Sequence, residues 1–129
     1  MIVLDASAAL ELLLGTPAAG AVEARIVAER SLHSPAVIDL EVTQAVRRFC
    51  ASGQVGQRRG RQVIEDLYAF PVRRYPHTPL LGRIWELRRN LTAYDAAYVA
   101  LAEVLDAPLV TRDARLARAT GHKARIELV

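Results

Sequence analysis

After Met1 the chain reads Ile2-Val3-Leu4-Asp5-Ala6-Ser7-Ala8, and this stretch decides the fold class. Three apolar residues in a row predict a short buried strand that ends at Asp5. Strong helix formers fill residues 6–14, and the sequence Gly15-Thr16-Pro17 predicts where that helix stops. A short buried strand followed directly by a helix is the repeating unit of a parallel sheet covered by helices.

The same alternation continues to the end of the chain. Further strands are predicted at 32–34, 71–76, 108–110 and 126–129, and further helices at 18–30, 35–51, 57–68, 78–89, 93–105 and 113–119. Ser34 is the predicted N-cap of the helix that starts at Pro35. The prolines of 71–76 predict an edge strand, and the nearly all-apolar segment 93–105 predicts the central buried helix. We therefore predict an α/β fold in which residues 1–129 form a single domain.

Composition narrows the class of protein. The chain has 129 residues and is 52% hydrophobic, which is enough for one core and excludes disorder. A lone cysteine, Cys50, excludes a disulfide framework and a thiolate-rich zinc site, and it suits the reducing cytosol. Asp5 and Glu11 interrupt the early apolar region, and no basic flank precedes it. We expect a soluble, cytoplasmic protein with no membrane partner.

The charge balance favours a polyanionic partner. The formal net charge is +3, with Lys123 the single lysine among the 17 basic residues. Paired or clustered arginines lie in the middle of the chain, at 47–48, 58–61, 73–74 and 88–89. Because the acids discussed next lie outside these clusters, the sequence indicates a basic rim around an acidic centre, as a nuclease requires.

Four separated acids are the candidate catalytic residues. Asp5 ends the first strand, and Asp113 follows the strand at 108–110, so both are expected at the carboxyl edge of the sheet, where ligands bind in such folds. Asp95 lies in the first turn of the buried helix, and Glu41 lies on the apolar face of its own helix. Carboxylates that converge need a cation between them. Hard oxygen ligands select Mg²⁺ or Mn²⁺, which can activate a water molecule against a phosphodiester.

Each acid also has a purely structural interpretation. Asp5, Asp95 and Asp113 stand at predicted helix starts, where a carboxylate caps the helix, and Glu41 can equally be a solvated helix residue. Neighbouring Asp39 competes with Glu41, but it lies on a different helix face and is typical of a first-turn cap. Asp5 and Asp95 are the strongest candidates for direct metal ligands. Glu41 is expected to bind metal or help to activate water, and Asp113 to act through water or a second ion.

Two hydroxyl side chains are candidate helpers. Ser7 lies two residues after Asp5 at a helix start, where its hydroxyl and backbone N–H can hold a metal-bound water or a phosphate. Thr111 precedes Asp113 by two residues. Capping of a helix or turn is the alternative for both. The histidines show no ligand spacing and are predicted to be structural or exposed; they are His33, His77 and His122.

In order and spacing these residues resemble the PIN-domain ribonucleases, specifically the VapC-type toxins of bacterial toxin–antitoxin pairs. The likeness covers nearly the whole chain. It rests on Asp5-Ala6-Ser7 after the first strand, on Glu41 followed by Val42, Ala45, Val46 and Arg47, on the segment from Tyr94-Asp95 to Ala102, and on Thr111-Arg112-Asp113.

The resemblance implies a three-layer α/β/α domain with a mostly parallel five-stranded sheet. It also implies that Asp5, Glu41, Asp95 and Asp113 bind Mg²⁺ or Mn²⁺ and cleave RNA, with tRNA or rRNA as expected substrates. The expected assembly is a homodimer that a cognate VapB-type antitoxin neutralises in a hetero-oligomer, held in part by residues 53–75.

Three other classes of protein fit the pattern less well. A response-regulator receiver domain needs an acidic pair after its first strand, but Ala6 follows Asp5 here, and Lys123 lacks the usual context. A haloacid-dehalogenase-like phosphatase needs a second aspartate where Ser7 stands. A catalytically silent PIN scaffold that binds RNA or protein does not require all four acids.

Overall fold

A five-stranded parallel sheet runs through the centre of the molecule in the computed structural model, which describes residues 1–129. The strands are β1 (Ile2–Leu4), β2 (Leu32–Pro35), β3 (Val72–Tyr75), β4 (Leu109–Thr111) and β5 (Ile126–Leu128). Their order across the sheet is β3-β2-β1-β4-β5, and every neighbouring pair is parallel. The predicted α/β class is confirmed, and so is the edge position of β3.

Seven α-helices connect and cover the strands. They are α1 (Ala6–Leu14), α2 (Ala19–Ile26), α3 (Ile38–Ala51), α4 (Gln57–Ala69), α5 (Leu81–Glu86), α6 (Ala93–Leu105) and α7 (Ala114–Ala117). Helix α6 packs on β1 and β2, and α1 packs against β4 and against α2, α3 and α4. None of these helices is both long and apolar enough to cross a membrane.

The buried centre of the fold agrees with the pattern of the sequence. All three residues of β1 are fully buried, and every residue of α6 from Ala96 to Ala102 is buried. Helix α6 is therefore the central helix, as predicted. Gly15 ends α1 in the left-handed conformation (φ 63°), and its N–H bonds the carbonyls of Glu11 and Leu12. The predicted stop at this glycine is confirmed.

The strand order creates a crevice beside β1. From β1 the chain builds outward to β2 and β3 on one side, and β4 and β5 fill the other side. The connections at the carboxyl ends of β1 and β4 therefore diverge, which is the switch point where open α/β sheets bind ligands. Asp5 directly follows β1, and Asp113 lies two residues beyond the end of β4.

Tertiary pairing overrides the local signals around Pro35. The predicted helix start at Pro35, with Ser34 as its N-cap, is wrong: both residues belong to β2, and α3 begins at Ile38. Strand β3 pairs with β2 as far as Pro35 opposite Tyr75, and the Ala36 N–H donates to the Tyr75 carbonyl at 2.8 Å. These long-range bonds extend the strand to a residue that by itself favours a helix start.

Two predicted helices are shorter than expected. The helix at 18–30 ends at Ile26, where the chain turns so that Glu29 can pair with the N-terminal ammonium group and with Arg25. The segment 78–89 begins as a 3-10 turn (Thr78–Leu80) and continues as α5 only to Glu86. Smaller boundary shifts occur at both ends of α7 and of β4.

Candidate active site

Asp5 is held at the end of β1 by three hydrogen bonds. Its Oδ1 accepts from the Ala8 N–H at 3.1 Å and from the Ser7 hydroxyl at 2.6 Å, and its Oδ2 accepts from the Thr111 hydroxyl at 2.7 Å. The side chain is 5% exposed. Asp5 therefore caps α1. A carboxylate can accept about four hydrogen bonds, so one acceptor position, on Oδ2, is still available for a ligand.

Thr111 and Ser7 tie the ends of β1 and β4 together. The Thr111 oxygen also accepts the Asp113 N–H at 2.9 Å, and the Ser7 oxygen accepts the Arg112 N–H at 2.9 Å. Since each hydroxyl donates to Asp5 and accepts from the loop after β4, the pair fixes the distance between the two loops. The two predicted helpers lie against Asp5, where they orient its carboxylate.

Asp113 and Asp95 approach each other across a shared arginine. Asp113 caps α7 through Oδ1, which accepts from the Arg115 and Leu116 N–H groups, and its Oδ2 lies 3.9 Å from the Arg115 guanidinium. Asp95 Oδ2 lies 4.0 Å from the same group. The cap of α6 is Thr92, whose hydroxyl accepts the Asp95 N–H. The carboxylate of Asp95 is therefore not needed as a helix cap.

Glu41 points its carboxylate into the protein beside Tyr98. Glu41 Oε1, the Tyr98 hydroxyl and Ser34 Oγ are buried neighbours, and none of these oxygens makes a hydrogen bond of normal geometry. Buried polar atoms are nearly always paired, so an unpartnered carboxylate oxygen marks a position where the chain lacks something that a ligand can supply. The apolar helix face predicted for Glu41 brings this carboxylate into the protein.

Burial and mutual repulsion shift three of the acids in the same direction. Burial raises the pKa of Asp5 despite its hydrogen bonds. The pKa of Glu41 is raised by burial and then by the charges of Asp95 and Asp5, and that of Asp95 by burial and then by the charge of Asp113. The nearby cation Arg115 is 79% exposed, which weakens its compensation. The site therefore holds negative charge that its own residues do not neutralise.

The four acids form a chain of near neighbours, but no three carboxylates close on one point. Mg²⁺ and Mn²⁺ suit such a site because Mg²⁺ commonly binds through one or two carboxylates and keeps several waters. The all-oxygen donor set and the unpartnered Oε1 of Glu41 fit a hard divalent cation.

Other candidate residues lie outside this group. Asp39, the competitor of Glu41, accepts the Arg74 Nε–H with both carboxylate oxygens at 2.9 Å, so its charge serves the contact between α3 and β3. His33 is buried, and its ring bonds the Tyr75 hydroxyl and Ser31 Oγ. Among the predicted basic clusters, Arg48 lines a cavity with Glu41, and Arg89 lines one with Asp95.

The sequence analysis missed two residues of the site. Tyr98 was counted within an apolar helix, although a buried tyrosine needs a partner for its hydroxyl and lies one turn after Asp95, which was the available signal. Arg115 lies outside the arginine clusters, so nothing in the sequence distinguished it. The protein is an α/β domain with an acidic site at the switch point of a parallel sheet.

Comparison with known proteins gives the family. The PIN-domain family model matches residues 2–121. Ribonuclease VapC12 of Mycobacterium tuberculosis is 48% identical over 129 residues, covering 100% of this chain and 99% of that protein. Ribonuclease VapC1 of the same organism is 41% identical over 128 residues, covering 98% and 96%. The chain therefore belongs to the PIN-domain family, as a VapC-type endoribonuclease toxin, and the predicted family and enzyme class are confirmed.

Solved structures share the fold. VapC20 of M. tuberculosis, described as a Sarcin-Ricin loop cleaving toxin, matches with a TM-score of 0.68 at 18% identity over 91% of this chain and 93% of that one. A chain of VapBC2 from Rickettsia felis, crystallised with a DNA fragment from their promoter, matches with a TM-score of 0.70 at 13% identity over 99% and 98%. The three-layer α/β/α architecture is confirmed. VapC ribonucleases with a PIN domain are metal-dependent, in agreement with the oxygen donor set above.

Proposed function

We propose that this toxin hydrolyses phosphodiester bonds of structured cellular RNA in the cytoplasm, such as tRNA or rRNA, with Mg²⁺ or Mn²⁺ bound at Asp5, Glu41, Asp95 and Asp113. The observation that carries the proposal is the buried Oε1 of Glu41, which makes no hydrogen bond of normal geometry, beside two further acids of raised pKa. A site that keeps uncompensated charge at the switch point of the sheet is suited to a cation.

In this proposal each residue has a distinct task. A bound divalent ion supplies polarisation of the scissile phosphate and a water of lowered pKa. Asp5 and Asp95 would hold that ion directly, and Asp113 would do so through water. Glu41 accepts the proton of the attacking water, since burial has raised the pKa of this carboxyl. Ser7 and Thr111 keep Asp5 in position.

The assembly is also part of the proposal. We assign neutralisation to a VapB-type antitoxin, in a hetero-oligomer built on a homodimer of this chain. Residues 53–75 include the 90% exposed Tyr68, which lines a cavity of about 360 Å³ together with Ile64 and Leu67. An apolar segment of the antitoxin fits such a groove. Co-purification with the product of the neighbouring upstream gene tests this assignment.

The test of the enzymatic proposal is a cleavage assay on total cellular RNA. Wild-type protein is expected to cut with Mg²⁺ or Mn²⁺ and to stop in EDTA. Asp5→Asn and Asp95→Asn each lose the charge that holds the ion, so we expect at least a hundredfold loss of rate, equivalent to about 2.7 kcal/mol. Sequencing the cut ends would identify the RNA.

The matched control is Asp106→Asn, at the other end of α6. Asp106 has a left-handed backbone (φ 47°), which asparagine also tolerates, so this variant should stay folded and active. The proposal would be wrong if folded wild-type protein cut no RNA with either metal. It would also be wrong if the two site variants cut as fast as the control.

A further inference from the structure

A basic cavity adjoins the acidic site. Its volume is about 460 Å³, and three arginines line it: Arg89, Arg115 and Arg118. Asp95 is its only acidic lining residue, so the cavity and the catalytic centre share a wall. The volume lies within the range of about 300–1,000 Å³ that is usual for ligand sites. The cavity can therefore admit part of a molecule that also reaches Asp95.

Two of the three arginines of this cavity, Arg89 and Arg118, have side chains that are not engaged elsewhere. The side chains of Arg89 and Arg118 are exposed and make no ion pair or hydrogen bond within the chain. By contrast, Arg74 and Arg83 pair with carboxylates at 2.8–2.9 Å and are committed to holding the fold. Because like charges gathered in a concave site repel, an anion bound between them would lower this repulsion. A guanidinium presents a planar fork of donors that matches a phosphate.

Close packing shapes one wall of the cavity. Asn90, a lining residue, lies directly against Gly121. Gly121 has φ +85°, and a Cβ at this position would overlap the Asn90 side-chain amide. A glycine is therefore required here both for the backbone conformation and for the approach of Asn90. Gly121 therefore lets the Asn90 side chain approach closely at this wall of the cavity.

We propose that this cavity binds an RNA backbone phosphate adjacent to the scissile phosphate, with Arg89 and Arg118 as its main ligands. The inference rests on the proposed function, because it takes the scissile phosphate to lie at Asp5 and Asp95. A strand with one phosphate at the acids must place its next phosphates beside them, and the cavity next to Asp95 offers cations at that place. Arg115, between the cavity and the acids, contacts the same strand.

The experiment compares two double variants of the full chain. Arg89→Ala/Arg118→Ala removes the cavity cations. The control, Arg30→Ala/Arg125→Ala, removes two charges from exposed, unpaired arginines at the opposite edge of the sheet. Arg125 lies at the amino end of β4, because its carbonyl accepts the Leu109 N–H. Arg30 lies at the amino end of β1, because the carbonyl of the next residue, Ser31, accepts the Ile2 N–H. The measurements are KM and kcat on a short single-stranded RNA, and its Kd in EDTA by fluorescence anisotropy, each over a series of salt concentrations.

For the cavity variant we expect KM and Kd to rise about tenfold with kcat within about twofold, because a neighbouring phosphate is bound equally in the ground and transition states. The slope of log Kd against log salt should become shallower by about 1.4, about 0.7 for each lost contact. The control variant should change Kd much less. Arg89→Lys/Arg118→Lys should recover most of the salt slope, since it keeps the charges.

Several outcomes would overturn the inference. Equal changes in the two double variants would show a general effect of net charge, and an unchanged Kd would show that the cavity does not bind RNA. A fall in kcat at constant KM would place the arginines on the reacting phosphate. If only the affinity for a protein partner fell, the cavity would be a docking surface. Failure of wild-type cleavage would instead refute the proposed function, and binding in EDTA would still decide the subsite.

Discussion

The two ends of helix α6 carry carboxylates whose pKa values are shifted in opposite directions. At the amino end, Asp95 is partly buried, and its pKa is raised by burial and then by the charge of Asp113. Toward the carboxyl end, Glu103 accepts from two Arg83 nitrogens at 2.8 and 3.0 Å and from the Lys123 N–H, and these bonds, led by those of Arg83, lower its pKa. Asp95 and Glu103 are separated by eight residues of helix, or about 12 Å.

The same division holds beyond α6. Glu29, near the amino end of β1, pairs with Arg25 and the N-terminal ammonium group, and its pKa is lowered. Asp5, at the other end of the same short strand, has a raised pKa. The difference shows that arginines are available to pair with acids and that the carboxyl edge keeps its acids largely uncompensated. Proteins retain such unfavourable charge where function requires it.

The largest effect on stability is expected at the paired end. Glu103→Ala leaves Arg83 and the Lys123 N–H without their acceptor, so it should lower the free energy of unfolding by about 2 kcal/mol at neutral pH. Because the pKa of Glu103 is lowered in the folded state, its stabilisation is present above the usual value of 4.5 and is lost as the pH falls through the folded value. Urea unfolding at pH 7 and pH 3 measures both.

Glu65→Ala on α4 is the control for this prediction. Glu65 is 62% exposed and pairs with Arg61 at 3.8 Å, so its loss should change stability by no more than about 0.5 kcal/mol. Equal losses in the two variants would mean that the network around Glu103 adds nothing beyond a surface ion pair. The hydrogen bonds of Glu103 would then contribute no more to the free energy of unfolding than an exposed ion pair does.

The parts of the fold that follow from local pattern could be predicted from the sequence. Short apolar runs located β1, β4 and β5, and the prolines around β3 placed it at an edge. The end of β2 could not be predicted, because Pro35 lies in a strand only through its pairing with Tyr75, a residue distant in sequence. Local propensity carries no information on such a contact.

The acids of the site could be located for a related reason. Asp5 follows a strand, Asp95 begins a buried helix, and topology brings such positions to one edge. The basic cavity could not be found in this way. Arg89 follows α5 and Arg118 ends α7, so only the packed structure brings them together. Tyr98 was overlooked because its ring belongs to the core and only its hydroxyl faces the acids.

Metal binding should reduce the repulsion among the carboxylates of the site and so stabilise the folded protein. At a concentration of ten times its Kd, Mg²⁺ or Mn²⁺ is expected to stabilise the wild-type protein by about 1.4 kcal/mol, a rise of several degrees in Tm. Asp5→Asn should abolish this rise, and Asp106→Asn should retain it. Thermal unfolding with and without the ion measures the difference. A metal-induced rise of equal size in both variants would place the ion elsewhere.

The smallest effect is expected from neutralising Glu41 without metal. Its pKa is raised by burial and by the charges of Asp95 and Asp5, so ionisation of this carboxyl opposes folding. The penalty is absent below the usual value of 4.5 and is complete above the raised folded value. Glu41→Gln should therefore stabilise the metal-free protein at neutral pH by about 0.5 kcal/mol, after allowance for solvent screening, and at pH 4 it should not.

The control is Glu23→Gln, on an exposed face of α2 without an ion pair, which should leave stability unchanged at both pH values. If Glu41→Gln instead lowered Tm in EDTA at pH 7, the Glu41 carboxylate would be stabilising the fold. The acids of the site would then not differ from the paired Glu103 in their effect on stability.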